Sequence, residues 1–337
     1  MNRSFRCLTL AALFGGCAAL FGAPAVAAGS MTLKISHQFP AHTDFRDVLA
    51  RKFAKEVEKE TKGALKFQIY PGSSLFKAKQ QFDAMANGSL DMSVYPLAYS
   101  GGKMPATNIT LMPALITSYK QAYDWGKSDI GKWLRKYLED HGAVLITPVW
   151  QAGGVASRDK PILLPTDIKG LKVRGAGKMI NLMLQAAGGA LATFPSNESY
   201  NAMQSGVVDA MWTSSASLMS FRLNEVAKFV TTAQDKTFWY MFEPLLMSKA
   251  TYDKLTPKQQ KIVIKVGSSL SKFALESCKK DDNKVAEFYK KGGDKVSTMN
   301  DQQFAQWKAL AAKSSYKYFA EHVKDGAKLI KMAEAVK

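Results

Sequence analysis

Short apolar strand patterns alternate with helical patterns along almost the whole chain, and this alternation restricts the fold more than any other sequence feature. It begins with a strand pattern at Leu33–Phe39 and a helical pattern at Asp44–Thr61. Because strand–helix–strand units place helices over the faces of a sheet, the pattern predicts an α/β architecture with mixed sheets flanked by helices. The apolar run Phe238–Ser248 is too long for one ordinary strand and predicts a crossing between two lobes. A long helix is predicted over Gln259–Phe288, with a break or bend near Gly267.

Residues 1–28 have the composition of an export signal. Arg3 and Arg6 form a positive start, Cys7–Phe21 is apolar, and residues 25–27 (Ala-Val-Ala) offer a small-residue cleavage site. We therefore expect a signal peptide and an exported mature protein. A retained membrane anchor and lipidation at Cys17 are the alternatives, but the apolar run is short and interrupted for a membrane span.

The chain after this signal is large and basic. About 309 of the 337 residues remain, more than a single hydrophobic core usually holds, so two lobes are expected. The formal net charge of +18 falls to +16 without the two signal arginines, which favours anionic ligands. We expect no nucleic-acid partner, because the lysines are spread over most of the predicted helices. Cys278 is the one cysteine after the signal, so an intramolecular disulfide is excluded.

No common catalytic, nucleotide-binding or metal-binding motif occurs in the sequence. The four histidines, His37, His42, His141 and His322, are scattered without the spacing of a metal site. Since acid–base catalysis usually requires a histidine or a carboxylate pair in a cleft, we expect a binding protein without catalysis, metal or cofactor. An exported enzyme that acts on a carboxylate substrate is the alternative.

The segment Pro161–Arg174 predicts a turn, a capped entry and a short strand that ends on an arginine. Arginine can hold a carboxylate through two parallel charge-assisted hydrogen bonds, which lysine cannot form. The small residues of Gly175–Gly177 follow and leave the guanidinium accessible. Arg174 is therefore a candidate for binding an organic acid.

Two segments carry a resemblance to a known family. Residues 160–174 (KPILLPTDIKGLKVR) and 198–209 (ESYNAMQSGVVD) resemble the signature of the DctP-type solute-binding proteins of tripartite ATP-independent periplasmic (TRAP) transporters. With these two segments and four smaller matches, the resemblance extends over essentially the whole mature chain. The smaller matches are Tyr70-Pro71, Gly88–Asp91, Leu246–Ser248 and Leu255–Pro257.

The resemblance implies a two-lobed periplasmic solute-binding fold of type II-like organisation, with the ligand cleft between the lobes. Lobe I would comprise residues 29–150 and about 240–280, and lobe II residues 151–239 and about 281–337, with the long helix bracing both. The protein would capture a small organic acid and deliver it to the small and large membrane permease subunits.

The resemblance also implies a set of ligand-binding residues. Arg174 would grip the ligand carboxylate. The other candidates line the cleft at matched positions: His37, Gln38, Phe39, Tyr95, Trp150, Gln151, Arg158, Ser196, Asn197, Trp212, Thr213 and Trp239. For His37 and Trp239, core packing is as good an interpretation as ligand contact.

Two details of this set bear on the ligand. Some relatives place a second arginine just past Gln151, where this chain continues Ala-Gly-Gly, although Arg158 is a candidate for part of that role. Five of the candidates are aromatic, which favours an aromatic, 2-oxo or 2-hydroxy acid over a polyhydroxylated one. The alternative is that several of these rings fill the core.

Overall fold

The computed structural model describes residues 30–337, so the predicted signal peptide lies outside the described residues. The strands are β1 (Met31–Ser36), β2 (Leu65–Tyr70), β3 (Met92–Val94), β4 (Ala143–Thr147), β5 (Trp150–Ser157), β6 (Lys172–Arg174), β7 (Ala190–Ala192), β8 (Ala210–Ser214), β9 (Phe229–Thr232), β10 (Tyr240–Phe242), β11 (Leu245–Ser248) and β12 (Lys295–Thr298).

The α-helices cover both faces of the sheets formed by these strands. They are α1 (Phe45–Glu60), α2 (Gln81–Ala86), α3 (Tyr119–Asp124), α4 (Asp129–Asp140), α5 (Lys178–Ala186), α6 (Ser199–Gln204), α7 (Ser215–Ser220), α8 (Lys249–Lys254), α9 (Pro257–Lys291), α10 (Asp301–Ala311), α11 (Lys317–His322) and α12 (Gly326–Glu334). No helix in residues 30–337 has both the length and the apolar composition to cross a membrane.

The strands form two mixed sheets, as predicted. The first has the order β2-β1-β3-β11-β4, with β11 antiparallel to its neighbours. The second has the order β12-β9-β5-β8-β6-β7, and β10 pairs with β5. Each sheet belongs to one lobe, and the chain passes between them from β4 to β5, from β10 to β11, and from β11 through α9 to β12.

The predicted crossing over residues 238–248 is present, but as two short strands. β10 pairs with β5 of the second sheet, and β11 pairs with β3 and β4 of the first. Glu243 and Pro244 separate them, and proline has no N–H group to continue a ladder. Glu243 is thereby placed, almost fully buried, at the junction of the lobes.

The long helix α9 is continuous over Pro257–Lys291, so of the predicted break or bend near Gly267 the break is wrong. Thr256 caps the helix in a capping box with Gln259. A Cβ atom at Gly267 would lie 2.6 Å from the main-chain oxygen of Ile146, so glycine here allows close packing on β4. The helix packs on α1 and β4 of lobe I and on α7, β9 and β12 of lobe II, and therefore braces both lobes.

Two elements differ from the predicted lobe boundaries: β10, predicted for lobe I, pairs with β5 of the second sheet, and the C-terminal helix also departs from its predicted lobe. The last helix, α12, was assigned to lobe II but packs against α4 of lobe I. Its buried residues Leu329 and Ala333 belong to the same apolar cluster as Leu134 and Leu138. The polypeptide thus returns to lobe I at its end, a long-range contact that the local sequence pattern does not encode.

Candidate functional site

Arg174 is the last residue of β6, and it points into the junction between the lobes. Its side chain is only 1% exposed. Nη1 donates to the main-chain oxygen of Trp212 at 2.7 Å, and Nε donates to that of Phe194 at 3.1 Å. Nη2 donates to the Tyr99 hydroxyl at 3.3 Å. Two main-chain oxygens of lobe II and one side-chain hydroxyl of lobe I therefore hold the guanidinium.

The Tyr99 hydroxyl brings together residues from both lobes. It accepts from Arg174, from the main-chain N–H of Ser196 at 3.0 Å and from Nε2 of Gln38 at 3.4 Å, and it lies 3.4 Å from the Ser196 hydroxyl. We call these four residues the Tyr99 cluster. The sequence analysis predicted Arg174, Gln38 and Ser196 but missed Tyr99. Tyr99 follows Tyr95 by four residues in the turn after β3, and the two rings are in contact.

A second buried arginine, Arg46, has very different surroundings. Its Nη2 lies 2.6 Å from Asp44 Oδ2, and its Nη1 lies 2.7 Å from Glu243 Oε2. The same guanidinium donates to the hydroxyls of Ser214 at 3.2 Å and Ser217 at 2.9 Å in lobe II. We call Arg46, Asp44 and Glu243 the Arg46 cluster.

The two carboxyl groups of the Arg46 cluster respond differently to burial. Burial raises the pKa of Glu243 above its ordinary value, although the charges of Arg46 and Arg174 oppose this. Burial acts in the same direction on Asp44, but the charge and hydrogen bonds of Arg46 outweigh it and hold the pKa of Asp44 below its ordinary value. Gln151 also donates through Nε2 to Glu243.

The two arginines differ in charge balance. In residues 30–337, Arg46 is in ion pairs with two carboxylates, whereas Arg174 donates to neutral oxygen atoms and forms no ion pair. A buried cation without a counterion is costly, and proteins usually neutralise it. Arg174 therefore provides a positive charge that a bound anion would balance.

The predicted residues at the end of β1 mostly support α1 rather than the Tyr99 cluster. Nε2 of His37 lies 3.2 Å from Asp47 Oδ1, and its Nδ1 accepts from the main-chain N–H of Phe39 at 3.3 Å. The Phe39 ring lies under the guanidinium of Arg46, with 3.6 Å between the carbon of the group and the ring centre. Gln38 alone of the three reaches Tyr99.

Among the predicted aromatic residues, Tyr95 lies behind the cluster. Its ring packs edge-on against Tyr99, with 6.2 Å between ring centres. Its hydroxyl accepts from Ser100 at 3.1 Å, and burial raises the pKa of Tyr95 well above its ordinary value. Tyr95 therefore supports Tyr99 from within lobe I.

The tryptophans lie mainly in the cores. Trp150 of β5 packs against Trp125 and against Phe242 of the neighbouring strand β10, with ring centres 5.1 and 4.8 Å away. Trp212 contributes its main-chain oxygen to Arg174, but its ring packs against Phe238 and Trp307 in lobe II. These contacts favour the alternative interpretation that the rings of Trp150 and Trp212 fill the core.

Trp239 and Thr213 lie together at the Gly153 contact. A Cβ atom at Gly153 would lie 2.1 Å from the Thr213 oxygen and 2.7 Å from the Trp239 ring. Both residues are buried, and Nε1 of Trp239 has no partner within residues 30–337. They remain candidates for the inner wall of the site.

Of the two remaining predicted residues, Asn197 lies at the cleft and Arg158 lies just after the far end of β5. Nδ2 of Asn197 reaches across the cleft to the Ser73 hydroxyl at 3.5 Å. Arg158 pairs through its main-chain N–H with Asp209, and its guanidinium lies beside Gly206 rather than in the Tyr99 cluster. Arg158 therefore does not replace a second arginine there, because β5 carries it to the far end of the strand.

A cavity of about 390 Å³ adjoins the Tyr99 cluster. Tyr99, Gly175 and Phe194 form its inner boundary, and Lys79 and Lys178 lie on its lining from opposite lobes. Gly177 of lobe II approaches Leu111 and Ala98 of lobe I so closely that a Cβ atom would lie 3.0 and 3.2 Å, respectively, from their side chains. The lobes are thus in contact beside this cavity. Residues 30–337 contain no group of three or more His, Cys, Asp or Glu side chains suited to a metal.

Comparison with known proteins gives the family. The model of the DctP family, described as "Bacterial extracellular solute-binding protein, family 7", matches residues 35–322. A solute-binding protein of Albidiferax ferrireducens is 50% identical over 311 residues, which are 91% of this chain and 92% of that protein. The C4-dicarboxylate-binding periplasmic protein DctP of Rhodobacter capsulatus is 26% identical over 284 residues, or 83% and 84% of the two chains.

Solved structures agree with this match. A TRAP periplasmic solute-binding protein from Rhodoferax ferrireducens, with bound malonate, superposes with a TM-score of 0.89 at 50% identity, covering 90% of this chain and 98% of the other. A second, from Sulfurospirillum deleyianum with bound succinate, shares the fold with a TM-score of 0.82 at 23% identity, covering 92% and 100%. These matches confirm the predicted fold and the expectation of a binding protein rather than an enzyme. The chain belongs to family 7 of the bacterial extracellular solute-binding proteins, the solute-binding subunits of TRAP transporters.

Proposed function

We propose that this subunit captures a small organic acid at the Tyr99 cluster, with Arg174 as the counterion of the ligand carboxylate. The observation that carries the proposal is the buried guanidinium of Arg174, which donates to neutral oxygen atoms only. A carboxylate would replace some of these weak partners with charge-assisted hydrogen bonds and would balance the buried charge.

A short acid fits these surroundings better than an aromatic one. The rings of Trp150 and Trp212 are engaged in the cores, which removes much of the support for an aromatic ligand. The Rhodoferax ferrireducens relative at 50% identity has malonate bound. Oε1 of Gln38 is buried and has no hydrogen-bond partner among residues 30–337, and a hydroxyl on the acid would donate to it. We therefore favour short aliphatic acids, and 2-hydroxy acids over 2-oxo acids.

The cellular setting follows from the family and from the first 28 residues. Relatives are described as periplasmic, and the predicted signal peptide would bring this chain to the same compartment. Closure of two lobes on the acid would give the form that the membrane permease subunits receive. No reaction on the ligand is required for this task.

Titration calorimetry on ligand-free protein tests the proposal. The panel contains malonate, succinate, lactate, pyruvate and benzoate, and the variants are Arg174→Lys and Arg174→Met, with Arg158→Met as the matched arginine control. Loss of a buried charge partner costs about 2–5 kcal/mol in binding, so the Arg174 variants should bind the preferred acid at least about 30-fold more weakly.

Arg158→Met should bind like the wild-type protein, because its guanidinium lies outside the cluster. Unchanged affinity in both Arg174 variants would refute the role of this residue. A wild-type protein that binds none of the five acids would refute the small-acid proposal itself. Tighter binding of benzoate than of every aliphatic acid would refute the preference for short acids.

A further inference from the structure

We propose that Tyr99 sets the upper size limit of the ligand, because its ring separates the Arg174 site from the adjoining cavity. The inference rests on the proposed function and adds a specificity-determining residue to it. Without the ring, the cavity would extend to the guanidinium, and a longer acid could keep its carboxylate on Arg174 while its far end occupies the cavity.

The position of Tyr99 between the Arg174 guanidinium and the adjoining cavity follows from its contacts on each side. Its hydroxyl bonds to Arg174, Ser196 and Gln38 on the inner side, and the residue also lines the cavity of about 390 Å³. Two further lining residues adjoin the guanidinium: Gly175 follows Arg174 in the chain, and the main-chain oxygen of Phe194 accepts from its Nε. The cavity therefore begins one side chain away from Arg174.

The tyrosine is anchored in this position rather than free to swing away. Tyr95 packs edge-on against its ring, and its hydroxyl is bonded to groups of both lobes. Displacing the ring would leave the N–H of Ser196 and one guanidinium donor without this acceptor, at about 1–3 kcal/mol for each buried group. A ligand that requires the ring to move binds against this cost.

The adjoining cavity has the size and chemistry of an additional binding space. Its volume falls within the range of about 300–1,000 Å³ typical of small-molecule sites. Lys79 and Lys178 provide positive charge, and Asn108 lies on the lining. Asn108 is 2% exposed, and its Nδ2 donates to the oxygens of Gly101 and Pro105. Its Oδ1 is buried, and no described residue bonds to it. A second carboxylate or a hydroxyl group at the far end of a longer acid would find partners there.

The substitutions Tyr99→Ala and Tyr99→Leu open this boundary, whereas Tyr99→Phe removes only the hydroxyl. Tyr137→Ala, a half-buried tyrosine on α4, is the matched control. The probes are malonate and adipate, which share two terminal carboxylates and differ in chain length. Calorimetry gives the ratio of the adipate to the malonate association constant for each protein, and thermal melts verify folding.

We expect the ratio to rise by at least about 30-fold in Tyr99→Ala and Tyr99→Leu, equivalent to about 2 kcal/mol. In Tyr99→Phe and Tyr137→Ala it should stay near the wild-type value, because both retain the ring at position 99. An equal loss of both affinities in the two opened variants would overturn the size-limit proposal. So would a rise in Tyr99→Phe as large as in Tyr99→Ala, since the hydroxyl would then set the preference.

The proposed function fails in a different way. It fails if the wild-type protein binds no acid of the panel, or if Arg174→Met binds as the wild type does. Only the size limit is refuted if Arg174→Met binds the acids more weakly than the wild type while Tyr99→Ala keeps the wild-type ratio of the adipate to the malonate association constant.

Discussion

The two buried arginines offer a direct test of the charge argument. Arg46 and Arg174 are 0% and 1% exposed, and each lies at the contact between the lobes. Methionine approximates the length of the arginine stem and removes the charge. We expect Arg46→Met and Arg174→Met to have very different effects on the stability of the ligand-free protein.

Arg46→Met should strongly destabilise the protein. It leaves Asp44 and Glu243 buried without the guanidinium that binds both at 2.6 and 2.7 Å. Removing one partner of a buried ion pair costs about 3–5 kcal/mol. At roughly 2 °C per kcal/mol for a chain of this size, the Tm should fall by about 6–10 °C.

Arg174→Met should change the stability of the ligand-free protein much less. It removes hydrogen bonds to Trp212, Phe194 and Tyr99, each worth about 1.5–3 kcal/mol with a charged donor. It also removes a buried charge without a counterion, whose burial costs several kcal/mol. Since the two effects oppose each other, we expect a net change of about 1 kcal/mol or less.

The assay is thermal unfolding after refolding from denaturant, which strips bound solute from the protein. The control for Arg46 is the triple variant Arg46→Met, Asp44→Asn and Glu243→Gln, which should recover much of the loss because no buried charge remains. Asparagine at position 44 keeps the helix cap. If Arg174→Met lowers the Tm of the ligand-free protein as much as Arg46→Met does, the claim that Arg174 is a buried cation without a counterion in the ligand-free protein is refuted.

Three further predictions concern the hinge and the cores. Burial raises the pKa of Asp282 from 3.8 to about 6, so between these values the folded protein holds a proton that the unfolded chain has lost. This stabilisation is complete below pH 3.8 and is lost as the pH rises through 6. Asp282→Asn should therefore stabilise the protein at pH 8 by up to about 3 kcal/mol and have little effect near pH 4; equal effects at both pH values in thermal melts would contradict this. Gly267→Ala should lower the Tm, because overpacking against the Ile146 oxygen costs about 1–3 kcal/mol; a wild-type Tm would count against that contact. Trp150→Leu should lower the Tm but leave acid affinity in calorimetry unchanged, and a parallel loss of affinity would return Trp150 to the site.

The fold and the principal arginine were predictable because both depend on local patterns. The strand and helix periods gave the α/β architecture, and the turn-strand segment before Arg174 placed a guanidinium at a strand end. Gln38 and Ser196 were found through the family resemblance, which is an alignment of positions rather than of contacts. The structure adds that these three residues meet on one tyrosine hydroxyl.

Other features depend on distant parts of the chain and were not predictable. Arg46 and Glu243 are 197 positions apart, and neither residue stands out in its local sequence. The aromatic residues pointed to a ring-lined pocket, yet whether Trp150 faces a ligand or a core depends on Trp125 and Phe242, which come from α3's end and from β10. Sequence period gives the side of a strand on which a ring lies, not what covers that side.

Arg46 and Arg174 would contribute differently to the free energy of lobe closure. Arg46 bonds to Ser214 and Ser217 across the lobes with its charge already balanced by Asp44 and Glu243, so a ligand adds little to the energy of that contact. The contact between Arg174 and Tyr99 also joins the lobes, but its charge is unbalanced. A ligand shifts an equilibrium only by the difference in its affinity for the two states. An acid bound to Arg174 in contact with Tyr99 and Gln38 gains partners from lobe I only when the lobes meet. On the proposed function, the free energy of ligand-driven closure would therefore come from the Tyr99 cluster, and the ion pairs of the Arg46 cluster would contribute equally with and without the acid.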